Sequence, residues 1–199
     1  MGGKFMGAKF MGAKFMGAKI FVMVAAVFVL GVAHALAGAP EPPGLWNGAM
    51  HGETPATLAG ATVIDVTEAS KLKAEGALLI DVAEAPSKPP GASSDMPWLP
   101  VHMSIPGAVW FAGGGFGGGG PAFQRRFAAR VAELTGGDKK KPIVAFCHPR
   151  CWGSWNAAKR LVLLGYGKVY WFPGGVEAWE GKFAAAPVKR DKAWQEGDR

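Results

Sequence analysis

Cysteine is nearly absent from this chain, with Cys147 and Cys151 the only two in 199 residues. They do not form the Cys-x-x-Cys-His of haem attachment, and no four-ligand cluster suits a structural zinc. Charge is also sparse at 19%, against 49% apolar residues, which is globular composition and excludes wholesale disorder. The formal charge of +7 shrinks once Lys4, Lys9, Lys14 and Lys19 are set aside, leaving 18 basic against 15 acidic residues, or +3. No basic run is interleaved with stacking aromatics, so a nucleic-acid partner is not indicated. Tyrosine occurs twice, whereas there are eight Trp, 30 Gly and 15 Pro. The glycines follow no Gly-X-Y period, which excludes a collagen.

No apolar run reaches the ~20 residues that a spanning helix needs. The longest candidate, Ile20–Ala33, has 14. It follows a short repeat, in which Met1-Gly-Gly-Lys-Phe5 is echoed by Met6-Gly-Ala-Lys-Phe10, Met11-Gly-Ala-Lys-Phe15 and Met16-Gly-Ala-Lys-Ile20. Small residues then surround Ala35 and Ala37. A Lys-bearing start, a short apolar segment and small-residue cleavage sites describe an export signal. Residues 1–37 are therefore expected to be a signal peptide cut after Ala37, or an uncleaved anchor, as the only attachment to a membrane. Either way the remainder is expected in the periplasm, where disulfides are permitted.

Residues 38–60 read as an extended lead-in, 61–185 as a single α/β domain with a mostly parallel sheet, and 186–199 as a charged, frayed tail. Strands are expected at Thr62–Val66, Ala77–Val82, Val109–Phe111, Pro142–Phe146 and Val169–Phe172. Helices are expected over Glu68–Glu75, Ala122–Leu134 and Trp155–Leu164, with a short one from Val176 to Trp179. This alternation is that of a parallel sheet with flanking helices. The proline-rich stretch 84–104 reads as a long loop. Gly113–Gly120, seven glycines around Phe116, formally contains a GxGxxG. A run this rich in glycine matches almost any glycine motif, and no Gly-Lys-Ser/Thr comes after it, so it is read as a flexible loop and no cofactor is expected.

Chemistry concentrates in Cys147-His-Pro-Arg-Cys151-Trp-Gly-Ser154. The segment leaves the carboxyl end of an apolar strand and runs into a helix amino terminus, where open α/β sheets place ligands. Unpaired N–H groups and the helix dipole favour an anion there, and a cysteine beside His148 and Arg150 acquires thiolate character. Cys147 and Cys151 are the candidate reactive residues, and His148, Arg150, Trp152, Gly153 and Ser154 the candidate substrate-binding ones. The alternatives are an inert Cys147–Cys151 bridge and a copper site, since soft thiolates select Cu(I).

Several segments in order carry a resemblance: Asp81-Val82, Ile105-Pro-Gly-Ala108, the cysteine loop, Ser154-Trp-Asn-Ala-Ala-Lys-Arg-Leu161 and Gly174-Gly-Val-Glu-Ala-Trp179. Together they resemble a rhodanese domain over about residues 60–185. Ile105–Trp110, Leu134-Thr-Gly-Gly-Asp138 and Cys151-Trp152 are further similar to the exported "PQQ-dependent catabolism-associated CXXCW motif" proteins. The resemblance implies that sulfur is carried as a persulfide on Cys147 with Cys151 resolving. It also implies association with a pyrroloquinoline-quinone-dependent alcohol dehydrogenase system, and a sulfur donor or thiol protein as partner. A rhodanese loop ends near an arginine, whereas Gly153 stands there in this chain, and Ala83 replaces the arginine usual after the second-strand Asp. Weak thiosulfate activity is the corresponding expectation, and the remaining reading is a non-catalytic, redox or copper accessory.

Overall fold

Leu78-Leu-Ile-Asp81 and Ile143-Val-Ala-Phe146 are almost wholly apolar, and both are buried on two faces as neighbouring strands of a parallel sheet. Such runs cannot alternate between core and solvent, so helices must cover both sides. The structure is a computed structural model that describes residues 1–3, 38–93, 95 and 101–194. The expected signal segment therefore lies outside the described residues except for Met1–Gly3. Contacts divide the chain into Met1–Ala37 and Gly38–Arg199, and the second unit carries the α/β domain.

Its elements are β1 (Thr62–Val63), α1 (Val66–Ala74), β2 (Leu78–Asp81), β3 (His102–Ser104), β4 (Val109–Trp110), α2 (Pro121–Thr135), β5 (Ile143–Phe146), α3 (Trp152–Leu163), β6 (Val169–Phe172), α4 (Gly175–Glu180) and β7 (Ala186–Val188). The main sheet runs β1-β6-β5-β2-β4, parallel throughout, with Ile80 beside Ala145 and Ala145 beside Trp171. Successive strand residues face opposite sides. Ile80, Ala145 and Trp171 meet Phe127 and Val131 of α2 and Trp155 and Leu161 of α3. Leu79, Val144 and Phe172 meet Ala69 and Leu72 of α1 and Trp179 of α4. The fold is the expected α/β domain, a mostly parallel sheet flanked by helices.

Four local readings differ. First, α1 begins at Val66, because the Asp65 carboxylate accepts the N–H groups of Thr67 and Glu68 at 2.8 and 2.9 Å and caps the helix there. Second, α3 begins at Trp152, so Gly153 and Ser154 lie in its first turn and not in a loop. Third, the end of the expected loop 84–104 is β3, antiparallel to β7, with His102 and Ser104 turned inward and Met103 outward. The inward side chains are polar, so hydropathy gives no sign of the strand. Fourth, the expected frayed tail is docked as far as Trp194. That indole is 4% exposed, stacks on Phe111 at 5.0 Å and donates to the Ala112 carbonyl at 2.9 Å.

Candidate active site at the cysteine loop

β5 is the middle strand, and at its carboxyl end the chain turns through Cys147–Cys151 into α3. Two close backbone contacts shape this turn. Gly175 has φ +58°, and a Cβ there would lie 2.2 Å from the Cys147 carbonyl oxygen, so α4 approaches the loop only through a glycine. Val176 N–H then donates to that same carbonyl at 2.9 Å. Arg150 takes a left-handed φ of +55° to close the turn.

Cys151 is the residue before α3, and its side chain makes no capping hydrogen bond. The lead-in supplies the missing partners. Trp152 N–H donates to the Met50 carbonyl at 2.8 Å, Gly52 N–H donates to the Arg150 carbonyl at 2.9 Å, and His51 bridges antiparallel to Cys151. Residues 50–52 thus lie across the loop as a strap. Trp46 holds the strap's approach by stacking on Trp152 at 4.3 Å and 14°. Its N–H and carbonyl both engage the Asn156 side chain, at 2.7 and 2.9 Å.

Cys147 and Cys151 are bonded to each other as a disulfide, with Cα atoms 6.6 Å apart. The two sulfurs are not equivalent. Cys147 is 0% exposed, whereas Cys151 is 8% exposed and lines a cleft of about 320 Å³. The cleft's walls come from the strap (Met50, His51), the segment after β2 (Val82–Pro86), the glycine run (Gly113, Gly115, Phe116) and the loop itself (His148, Cys151, Gly153). His148 presents its ring there, with Nδ1 2.8 Å from a Glu177 carboxylate oxygen.

The candidate residues separate accordingly. Cys151, His148 and Gly153 share the cleft, and Cys147 lies behind Cys151. Arg150 is exposed and off the cleft wall, so it is not placed to hold an anion in front of the sulfur. Trp152 is buried under Trp46, and Ser154 is buried, donating to the Cys151 carbonyl at 3.2 Å and accepting from the Trp171 indole at 3.0 Å. Those two fix the start of α3 and stay off the cleft wall. Among the described residues, no three His, Cys, Asp or Glu side chains are placed to share a metal ion.

Sequence reasoning missed three contributors. The strap was one. The glycine run was another: it is pinned by Arg160, which donates to the carbonyls of Gly114 and Phe116 at 3.0 and 2.8 Å and to Gln124 Oε1 at 2.6 Å. Burial pushes that guanidinium down to about 10, which leaves it charged near neutrality. Asn156 adds a bond to the Gly115 carbonyl at 3.0 Å. The loop is held in place, which corrects the reading of Gly113–Gly120 as flexible. The third is a buried carboxylate behind the site. Asp81 accepts Ala83 N–H at 2.8 Å on one oxygen, and on the other Ser104 Oγ at 2.5 Å and His102 Nε2 at 2.6 Å. Ser104 bonds the carboxylate and not the imidazole, so this trio is a structural knot rather than an acyl-transfer triad, whose histidine lies between the other two.

These features define a class of protein, a parallel α/β domain with a cysteine-bearing turn at the carboxyl end of its middle strand. Residues 63–182 match the model of the Rhodanese-like domain family, and the chain belongs to that family. No curated protein matches it. Similar solved structures include an uncharacterized protein from Saccharomyces cerevisiae, at 16% identity and TM-score 0.37, covering 61% of this chain and 92% of that one. A Bacillus halodurans protein is similar at 22% identity and TM-score 0.41, covering 68% and 86%. The polysulfide-sulfur transferase homodimer from Wolinella succinogenes is similar at 18% identity and TM-score 0.40, covering 90% and 100%.

Proposed function

We propose that this chain is an exported rhodanese-like protein whose Cys147–Cys151 pair moves sulfur between thiols in the service of a PQQ-dependent alcohol-oxidising system. The observation that carries the sulfur chemistry is the bonded pair at the carboxyl end of β5, with one of its two cysteines on a cleft wall. In the reduced pair, one thiolate takes a sulfane sulfur from a donor and holds it as a persulfide, and an acceptor thiol removes it. If no acceptor arrives, the second cysteine attacks the inner sulfur of the persulfide and hydrosulfide leaves. The disulfide forms, and an external dithiol supplies the two electrons and two protons that reopen it. Support for export is the Lys-bearing, then apolar, then small-residue start, and support for the PQQ link is the similarity around Cys151-Trp152.

A second reading, thiol–disulfide exchange with no persulfide, is favoured by the absence of any lysine or arginine among the described residues of the cleft wall. Mass spectrometry of protein taken from the periplasm decides between them. A gain of about 32 mass units on one cysteine marks the persulfide, and its absence after incubation with persulfide donors leaves the second reading. Amino-terminal sequencing of the same sample is expected to start near Gly38, and a full-length cytosolic product overturns export. A deletion strain that grows normally on alcohols oxidised by PQQ enzymes overturns the metabolic assignment.

A further inference from the structure

We propose that substrate thiols react at Cys151, whose cleft takes a short organic thiol, while Cys147 is the leaving sulfur. The proposal deepens the reading above and rests on the pair being reactive. It reverses the order that the family resemblance implies, in which Cys147 comes first.

Access is the first argument. A thiolate attacks a disulfide sulfur from outside, along the sulfur–sulfur axis, and only a sulfur reachable from solvent can be struck. Cys151 lies on the cleft wall, whereas Cys147 has no exposed surface and is not part of that wall. The incoming R–S⁻ bonds to Cys151 Sγ, the Cys147–Cys151 bond breaks, and its electron pair goes to Cys147. Cys147 then takes up the proton that the substrate thiol gave to solvent. Its sulfur lies 3.7 and 3.8 Å from the carbonyl oxygens of His148 and Cys151, which suit a neutral S–H. Cys151 precedes the first turn of the twelve-residue α3, where the helix dipole favours negative charge. In the fully reduced pair it is therefore the better thiolate to attack an incoming disulfide or sulfane sulfur.

Size is the second argument. A cleft of about 320 Å³ walled by Met50, Val82 and Phe116 matches the lower end of small-molecule sites, which suits a short organic thiol.

The experiment opens the disulfide of the oxidised protein with 2-mercaptoethanol and with a thiol-ended polyethylene glycol, each rate divided by that thiol's rate with a small uncharged disulfide at the same pH. The short thiol is expected to be the faster, and equal normalised rates overturn the size assignment. Acid quenching and then trypsin, which cuts after Arg150, separates the two cysteines and locates the adduct. It is expected on Cys151. An adduct mainly on Cys147 overturns the order of attack while leaving the proposed function intact, whereas a bridge that no thiol opens in the folded chain overturns both. As a second measurement, Cys147→Ser treated with cystamine should form a mixed disulfide at least about tenfold faster than Cys151→Ser, with the difference vanishing in denaturant. Equal rates in the folded variants count against Cys151 as the site of attack.

Discussion

Arg150 is the sole non-glycine residue with a left-handed φ among the described residues, and it lies between the two cysteines. Its backbone closes the turn, while the residue is exposed and is not part of the cleft wall. Arg150→Gly should raise stability by about 1 kcal/mol in thermal or urea unfolding, since glycine adopts this φ without a Cβ clash. Disulfide opening by 2-mercaptoethanol should stay within a factor of about two of the original. A large loss of rate would mean that the guanidinium reaches the reacting sulfur after all. Gly115 presents the opposite case. A Cβ there would fall 2.3 Å from the Cα of Gly153, where two main chains touch and neither can yield like a flexible side chain. Gly115→Ala should cost about 3 kcal/mol, read as a lowered urea midpoint. It should also change the rate at Cys151, because Gly115 and Gly153 both line the cleft.

Glycine runs state what a segment can do and not what holds it, which explains why the sequence was misleading at Gly113–Gly120. The side chains that hold it, Asn156 and Arg160 on the buried face of α3, lie 41 to 46 residues away. Arg160→Ala removes two hydrogen bonds to this element, a third to Gln124 of α2, and a cation lying 4.9 Å from the Phe127 ring centroid. The expected loss is about 3 kcal/mol, with faster proteolysis inside 113–120. Unchanged proteolysis would show that the glycines are held by backbone packing alone. The parallel strands were legible because β2 and β5 have no polar face, and the cysteine turn because it comes directly after one of them. Two element boundaries were not legible, for a shared reason. The start of α3 has no capping side chain and contains Gly153, and its first N–H is satisfied by the Met50 carbonyl 102 positions upstream. β3 is held by His102 and Ser104 turned toward Asp81, a pattern that reads as polar loop. In the site, residue type marked the reactive loop, but which of its members face the cleft depended on tertiary placement.

At the scale of the whole second unit, the family match over 63–182 is enlarged at both ends by segments with little hydropathy signal. The lead-in straps the reactive turn, and the carboxyl-terminal segment packs Trp194 into the same core cluster. Trp194 fills the space between Phe111, Phe123 and Phe127. Trp194→Ala should therefore cost about 4 kcal/mol, a value for a cavity in a core and far above that for a frayed tail. The indole is positioned by Asp191, which takes both forks of the Arg130 guanidinium at 2.9 and 2.7 Å and accepts the N–H of Trp194 at 2.8 Å. Burial pushes the Asp191 carboxyl up, but the hydrogen bonds from Arg130 and from the Trp194 and Ala193 amides outweigh it and hold the group below its ordinary range. A carboxyl lowered in the folded state stabilises the fold above its unfolded value of about 3.9 and loses that contribution as pH falls through the folded value. The stability gap between the original chain and Asp191→Asn, measured by urea unfolding, should thus be constant from neutrality down to about pH 5 and close progressively in stronger acid. A gap that persists unchanged at the lowest pH at which the chain still folds would show that Asp191 acts through geometry and not through charge.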